Sequence, residues 1–328
     1  MTVHYTGNKQ NGGALLLSKE EQGLDGDLKA RLTEALLSRF AHCHERYTFH
    51  HSASLEYNEV YNFVREVFRD QGAIYEQSVR IASHLFTVAE HPKIKPGELY
   101  TGFFRGIEDG ETVLDAVGIF KAETKVLFAD MVPGADDLDL QLKEGVELSK
   151  VDKGCLILHR EEEQGFELLI FDSNGKGEEA LYWKDKFLGV MIRMNEFVQT
   201  QDFLTQTKNF VTKQMPDEFE VSKTEQIDIL NRSMDYFKTH GNFDREEFET
   251  EVLHHDGLIQ SFRNYVEPTD SFEISTQAVK RQARVFKSVI KLDKNFHIYV
   301  HGDRELIEKG YDEAMGKHFY KIYFDHEV

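Results

Sequence analysis

The sequence predicts an α+β protein: N-terminal helices packed on an antiparallel β meander, then a helical segment, then a C-terminal helix with a small antiparallel meander. Three observations predict it. Apolar residues recur at helical spacing over 58–87. Between 97 and 172 the spacing falls to two, with turn residues separating the runs. After 195 both patterns return, helices first and strands last. Helices and strands that segregate along a chain form separate layers rather than an alternating parallel sheet.

The elements follow in order. A short strand over 3–5, a Gly/Asn-rich turn and a second strand over 15–17 open the chain. A helix over 27–40 carries Leu28, Leu32, Ala35 and Leu36 as an apolar stripe. Two more are expected over 58–68, with Val60, Phe63, Val64 and Val67 on one side, and over 73–87, with Ile74, Val79, Ala82, Leu85 and Phe86. His91-Pro92 closes this block, because a residue before proline is pushed out of the helical region. Strands are expected over 98–107 and 112–121 around the turn dipeptide Asp109-Gly110, then over 125–130, 145–150, 154–160 and 166–172. Beyond 195, a helix over 199–215 is expected to stop at Pro216, and Ser222 with Glu225 forms a capping box for a helix to 240. Asp244 caps the next helix, to about 255, and 258–266 makes a short last one. The chain is thus expected to divide into 1–198 and 199–328, with the junction near 195–201.

The last segment has the strongest local charge. Ser275 or Thr276 can cap a helix running to Phe286, with Val279, Ala283 and Phe286 on a packing face and Lys280, Arg284 and Lys287 on a neighbouring one. From 280 to 294 six cations (Lys280, Arg281, Arg284, Lys287, Lys291 and Lys294) stand against Asp293 alone, 6 − 1 = +5, in a chain whose net charge is −19. These six are the candidate nucleic-acid-binding residues. Strands over 289–291, 296–300, 306–311 and 317–324 follow, with Gly316 available for a hairpin loop.

At 328 residues, 40% of them hydrophobic, with 25 Phe and 5 Pro, the chain is long enough to bury roughly three quarters of its unfolded surface. Cys43 and Cys155 form no CxxC, so a reducing compartment is expected. The first residues carry no cationic segment followed by an apolar run, and no 18 apolar residues occur together; neither export nor membrane insertion is expected. A charge of −19 argues against a protein that coats DNA over its whole surface, so any phosphate contact is expected to be local. Acid clusters at Asp136, Asp137, Asp139, Glu144 and Glu147, at 161–163, and at Asp244, Glu246, Glu247, Glu249 and Glu251 read as solvated loops and helix faces.

No catalytic residue, metal or cofactor is expected. Asp115, Glu123 and Lys125 satisfy a loose metal-nuclease pattern, but Glu123-Thr124-Lys125 reads as an exposed turn. The glycines of 174–177 lack the spacing of a phosphate loop, and no Gly-x-Ser-x-Gly occurs. His42, His44, His50 and His51 surround Cys43, which has no spaced cysteine partner to complete a zinc site.

The run AVKRQARVFKSVIKLDKNFHIYVHGDRELIEKGYDEAMGKHFYKIYF resembles the C-terminal end of the bacterial nucleoid-associated protein (NdpA) family. The resemblance continues upstream, in order, through EVYNFV, HPKIKPGELY, DAVGIFKAETK, VDKGCLI, YWKDKFL, QTQDFLTQTKNFV and LNRSMDYFKTHGNFDREEFE. It implies a cytoplasmic, non-enzymatic protein of the bacterial nucleoid, associated with double-stranded DNA. The residues leave two alternatives open: an acidic interaction module that reaches the nucleoid through a basic partner or DNA-processing protein, and the nuclease on Asp115, Glu123 and Lys125. The oligomeric state is also left open.

Overall fold

The computed structural model describes residues 1–110, 112–133, 138–173, 182–283, 286, 289–292, 296–299 and 306–326. The chain forms two compact units, Met1–Arg193 and Met194–Val328. The mixed class is as expected, α+β, with an antiparallel sheet and separate small hairpins.

The first unit is built from β1 (Thr2–Thr6), β2 (Leu15–Leu16), α1 (Gly26–Leu37), β3 (Tyr47–Phe49), α2 (Glu59–Arg69), α3 (Ile74–Val88), β4 (Gly97–Asp109), β5 (Thr112–Ala122), β6 (Val126–Pro133), β7 (Leu138–Gly145), β8 (Lys153–Leu158), β9 (Glu167–Asp172) and β10 (Val190–Ile192). Eight strands make one antiparallel sheet in the order β10-β3-β9-β8-β5-β4-β1-β2. Both faces are covered. Val117, Ile119, Cys155, Ile157, Leu168 and Ile170 pack against Val60, Val64 and Val67 of α2 and Ile81 and Leu85 of α3. The alternate residues Ala116, Phe120, Leu156, Leu158 and Leu169 pack against Leu32 and Leu36 of α1 and against Phe40. Double coverage explains why β8 is buried at every position.

Several boundaries follow local chemistry. The Asn58 side chain accepts the Tyr61 N–H as the cap of α2, while its amide donates to the carbonyls of Leu188 and Gly189. Gly110, at φ +63°, takes the left-handed conformation that the β4–β5 turn needs. The expected strand over 145–150 is corrected: β7 spans Leu138–Gly145, and Leu148–Lys150 is a 3₁₀ turn. The many acids of this stretch suggest loop, whereas the alternation Leu138, Leu140, Leu142 makes a strand. β6 and β7 pair with each other and stand apart from the large sheet.

β1 holds a buried histidine. His4 Nδ1 accepts the Ser18 backbone N–H at 3.1 Å, and Nε2–H donates to Ser78 Oγ at 2.9 Å. Both nitrogens are satisfied only in the neutral ring, and burial pushes its pKa down from the usual value. With the folded pKa below the unfolded value of about 6.5, the unfolded chain takes up the proton first as pH falls. His4 therefore contributes its full stability above about pH 6.5 and loses it below. Urea titrations at pH 8, 6.5 and 5, followed by the fluorescence of the single tryptophan Trp183, should show a midpoint that falls with acid. His4→Asn should flatten that fall; equal slopes in both proteins would contradict the assignment.

In the second unit, helices Glu196–Asn209, Met215–Glu218, Lys223–Thr239, Arg245–Phe248, Asp256–Tyr265 and Thr276–Ala283, with the paired short strands β11 (Asn242–Phe243) and β12 (Phe272–Glu273), build an aromatic core of Phe203, Phe210, Phe237, Phe243, Phe248 and Phe262. The capping box of Ser222 and Glu225 is formed, and the Asp244 side chain caps Arg245–Phe248. Pro216 does not end its helix: a π turn over Phe210–Gln214 leads into Met215–Glu218, where the proline sits in the first turn. Its ring removes one N–H from the helical ladder, and the π turn immediately before it is the local widening that lets the helix continue past it. The acid cluster of 244–251 is not wholly solvated either. Glu249 is 1% exposed, and its carboxylate accepts hydrogen bonds from Arg245 and Arg263.

Candidate nucleic-acid interface

The cationic helix Thr276–Ala283 is anchored on one side. Ser275 Oγ accepts the Ala278 N–H at 3.4 Å, and the Ser275 N–H donates to Thr200 Oγ1 at 3.0 Å. Ala278 packs on Phe197 and Val198, and Val279 and Phe286 enter the aromatic core. Gln282, also buried, donates from Nε2 to Thr205 Oγ1 at 3.1 Å. Ala283, expected on this face, is exposed. The buried stripe is 278, 279, 282 and 286, because a hydrogen-bonded glutamine occupies a position that the apolar spacing assigns to solvent.

Lys280 and Arg281 are both exposed. The Arg281 guanidinium lies 5.9 Å from the Phe197 ring centroid, which holds the cation against an aromatic face. Of the other candidates, Lys291 lies on β13 (Val289–Leu292) opposite His297 of β14 (Phe296–Tyr299). Its side chain, and Arg284, Lys287 and Lys294, lie outside the described residues.

The expected single meander is replaced by two hairpins, β13–β14 and β15 (Ile307–Asp312) with β16 (Lys317–Ile322). Leu292, Ile298, Ile307 and Tyr320 all pack around Ile227 of the helix Lys223–Thr239, so both hairpins share one apolar anchor. In the second hairpin the Phe319 ring covers Gly310, where a Cβ would come within 2.3 Å of the ring. Lys309, Lys317 and Lys321 add cations, but Glu308, Asp312 and Glu313 match them in number, and Lys321 pairs with Glu308 at 3.8 Å. Net positive charge therefore belongs to 280–294 rather than to the chain's end.

The metal-nuclease pattern is taken apart by the sheet. Asp115 and Glu123 are eight residues apart along one extended segment, about 27 Å at strand rise, too far to share an ion. Asp115 accepts from the Gly106 N–H. The Glu123 side chain is buried, not in an exposed turn, and its lysine partner is Lys121 at 2.9 Å. Lys125, half exposed, pairs with Glu98 at 3.5 Å.

Glu123 instead belongs to a buried charge cluster that sequence reasoning missed. Lys121, Lys153 and Asp172 are cross-strand neighbours on β5, β8 and β9. Lys153 Nζ donates to Asp172 Oδ1 at 2.7 Å and lies 4.0 Å from Glu123 Oε2. Lys121 Nζ donates to Glu123 Oε1, to Tyr182 OH at 3.0 Å and to the Lys95 carbonyl at 2.7 Å. Asp152 accepts the backbone N–H groups of Glu123 and Thr124. Burial lowers the Lys121 pKa against the pull of Glu123, and burial followed by Glu123 raises that of Tyr182. Glu123 and Asp172 are thus each paired with a lysine, and Asp152 is held by backbone N–H groups and the Thr124 hydroxyl.

Around Cys43 the thiol donates weakly to the carbonyls of Arg39 and Ile170, both at 3.7 Å, and burial pushes its pKa up. His51 packs on Tyr57 with centroids 5.5 Å apart. Among the described residues, the His42–His51 stretch gathers no set of three metal-ligating atoms. No described helix is long and apolar enough to cross a membrane.

Fold and surface define an acidic two-unit α+β protein with a cationic helix fixed to its C-terminal core. The chain belongs to the family described as nucleoid-associated protein YejK, whose model matches residues 3–318. Comparison with curated proteins returns no match.

Proposed function

We propose that this nucleoid-associated protein binds double-stranded DNA directly, with little sequence preference and without catalysis, through the surface that Lys280 and Arg281 begin. The observation that carries this reading is the anchored helix: Ala278, Val279 and Gln282 are locked into the core while Lys280 and Arg281 stay exposed. A cation on an anchored helix loses less freedom on meeting a phosphate than one on a loose loop. Lysine and arginine attract and position the duplex, whereas base reading needs side chains such as paired Asn or Gln in a groove. Gln282 is buried, so on the helix Thr276–Ala283 only Gln277 is left for such a role. The remaining negative charge confines the duplex to this side.

A second reading, a protein-interaction module, is favoured by the hairpin β6–β7. Its register puts Leu127, Ala129, Met131, Pro133, Leu138, Leu140 and Leu142 on one face, and all four leucines are at least 60% exposed. An apolar face of that extent on an acidic protein suits a partner with an apolar groove rimmed by basic residues.

Fluorescence anisotropy with two unrelated 30-base-pair duplexes at low salt separates the readings. Direct binding predicts dissociation constants within about threefold of each other. Failure to bind either duplex, together with protein partners that survive nuclease digestion of a lysate, is the result the second reading requires.

A further inference from the structure

We propose that His240, Glu247 and Glu251 form a binding site for a divalent transition-metal ion of the zinc or manganese type, on the surface of the C-terminal unit and independent of DNA binding. The His240 ring nitrogen and one oxygen from each carboxylate lie within 4.8 Å of one another. His240 Nε2 is 3.8 Å from Glu247 Oε1 and 3.9 Å from Glu251 Oε2. These separations exceed hydrogen-bond length, so the three groups converge without bonding to each other. An ion with bonds of about 2.0–2.2 Å spaces its ligand atoms about 3–3.6 Å apart, which rotation of the two exposed carboxylates reaches.

The groups around the three ligands hold them turned toward one point. His240 Nδ1 lies 3.0 Å from the Tyr236 carbonyl, which can only accept, so Nδ1 carries the proton and the lone pair of the neutral ring is on Nε2, facing the carboxylates. Thr239 Oγ1, at 3.1 Å from Nδ1, already donates to the Asp235 carbonyl and so accepts here as well. The ring is held by stacking on Tyr236, centroids 4.1 Å apart and planes 16° from parallel. Tyr236 acts on the carboxylate too. Its hydroxyl lies 3.2 Å from Glu247 Oε2, the oxygen turned away from the histidine, and equally far from the Asp244 carbonyl, of which the carboxylate is the stronger acceptor. An imidazole whose second nitrogen donates to a carbonyl, facing a carboxylate oriented through its other oxygen, is the outer-shell arrangement typical of metal-ligating histidines.

The chain brings these groups together by local geometry. His240 is the C-cap of the helix Lys223–Thr239, and Asp244 caps the helix Arg245–Phe248. Glu247 and Glu251 are four residues apart across the junction with the π turn Glu249–Leu253, and so project to one side. Of the other acids of the cluster, Asp244 is committed to its cap and Glu249 to Arg245 and Arg263. Three protein ligands leave coordination positions open to water.

The test uses untagged, chelator-treated full-length protein titrated calorimetrically with Zn²⁺ and with Mn²⁺, with thermal unfolding recorded in parallel. One ion per chain and a rise in melting temperature are expected from at least one of the two metals. His240→Ala, Glu247→Gln and Glu251→Gln should each weaken binding at least tenfold. Tyr236→Phe, which keeps the stacked ring and removes the hydroxyl, should weaken it severalfold. His42→Ala with His44→Ala should leave it unchanged. No binding of either metal to the wild type, or binding that survives in folded His240→Ala and Glu251→Gln proteins, overturns the proposal.

Discussion

Glu123→Gln should destabilise the N-terminal unit by about 3–5 kcal/mol, the cost of removing one member of a buried ion cluster. The amide preserves the volume but leaves Lys121 and Lys153, both 1% exposed and opposite each other on adjacent strands, with less negative charge to balance them. Trp183 is the chain's only tryptophan, is fully buried and adjoins Tyr182 of the cluster, so its fluorescence reports the unfolding of this unit. The urea midpoint read from it should fall steeply in Glu123→Gln. Lys125→Met, which breaks a half-exposed pair, should move it by less than about 1 kcal/mol. Lys121→Met combined with Glu123→Leu should recover much of the loss, because a well-packed apolar pair needs no counter-charge. A single mutant as stable as the wild type would mean that water reaches the cluster and screens it.

The same cluster shows where sequence reading stops. A lysine in a strand is ordinarily assigned to solvent, and alternation along β5 and β8 cannot reveal that Lys121 and Lys153 face each other across a covered sheet. Pairing partners come from strand order, which depends on contacts far apart in sequence; β3 and β10, each three residues long, give no periodic signal at all. Features fixed by neighbours along the chain are legible: the capping box at Ser222 and Glu225, the Asp109-Gly110 turn and the cap at Asp244. For the candidate site, Val279 and Phe286 fall on the buried face as their spacing requires, while Ala283 gives way to Gln282. The difference lies in Thr205 and Gln201, 77 and 81 residues upstream, which offer the glutamine amide its acceptors. His240 is illegible for a related reason. Its carboxylate neighbours lie beyond a turn, and nothing in the spacing to Glu247 and Glu251 shows that the chain folds back on itself.

Reversing Lys280, Arg284 and Lys287 to glutamate should abolish measurable DNA binding at physiological salt while leaving the protein folded. If three to five of the six cations touch B-DNA, the slope of log K against log salt is roughly −3 to −5 in the wild type, and removing each phosphate-neutralising cation flattens it by about 0.9. Arg281 is left in place because its guanidinium packs over Phe197, and its removal would confuse packing with phosphate binding. Lys280 is exposed, and the anchoring residues Ala278, Val279 and Gln282 are unchanged, so circular dichroism and melting temperature should match the wild type. The weakening should be equal on every duplex sequence, since counterion release does not depend on the bases. Anisotropy titrations at four salt concentrations measure slope and intercept together. A folded triple mutant with unchanged affinity and slope would mean that these cations only balance acids within the C-terminal unit, and would leave the apolar face of β6–β7 as the surface through which the protein meets its partners.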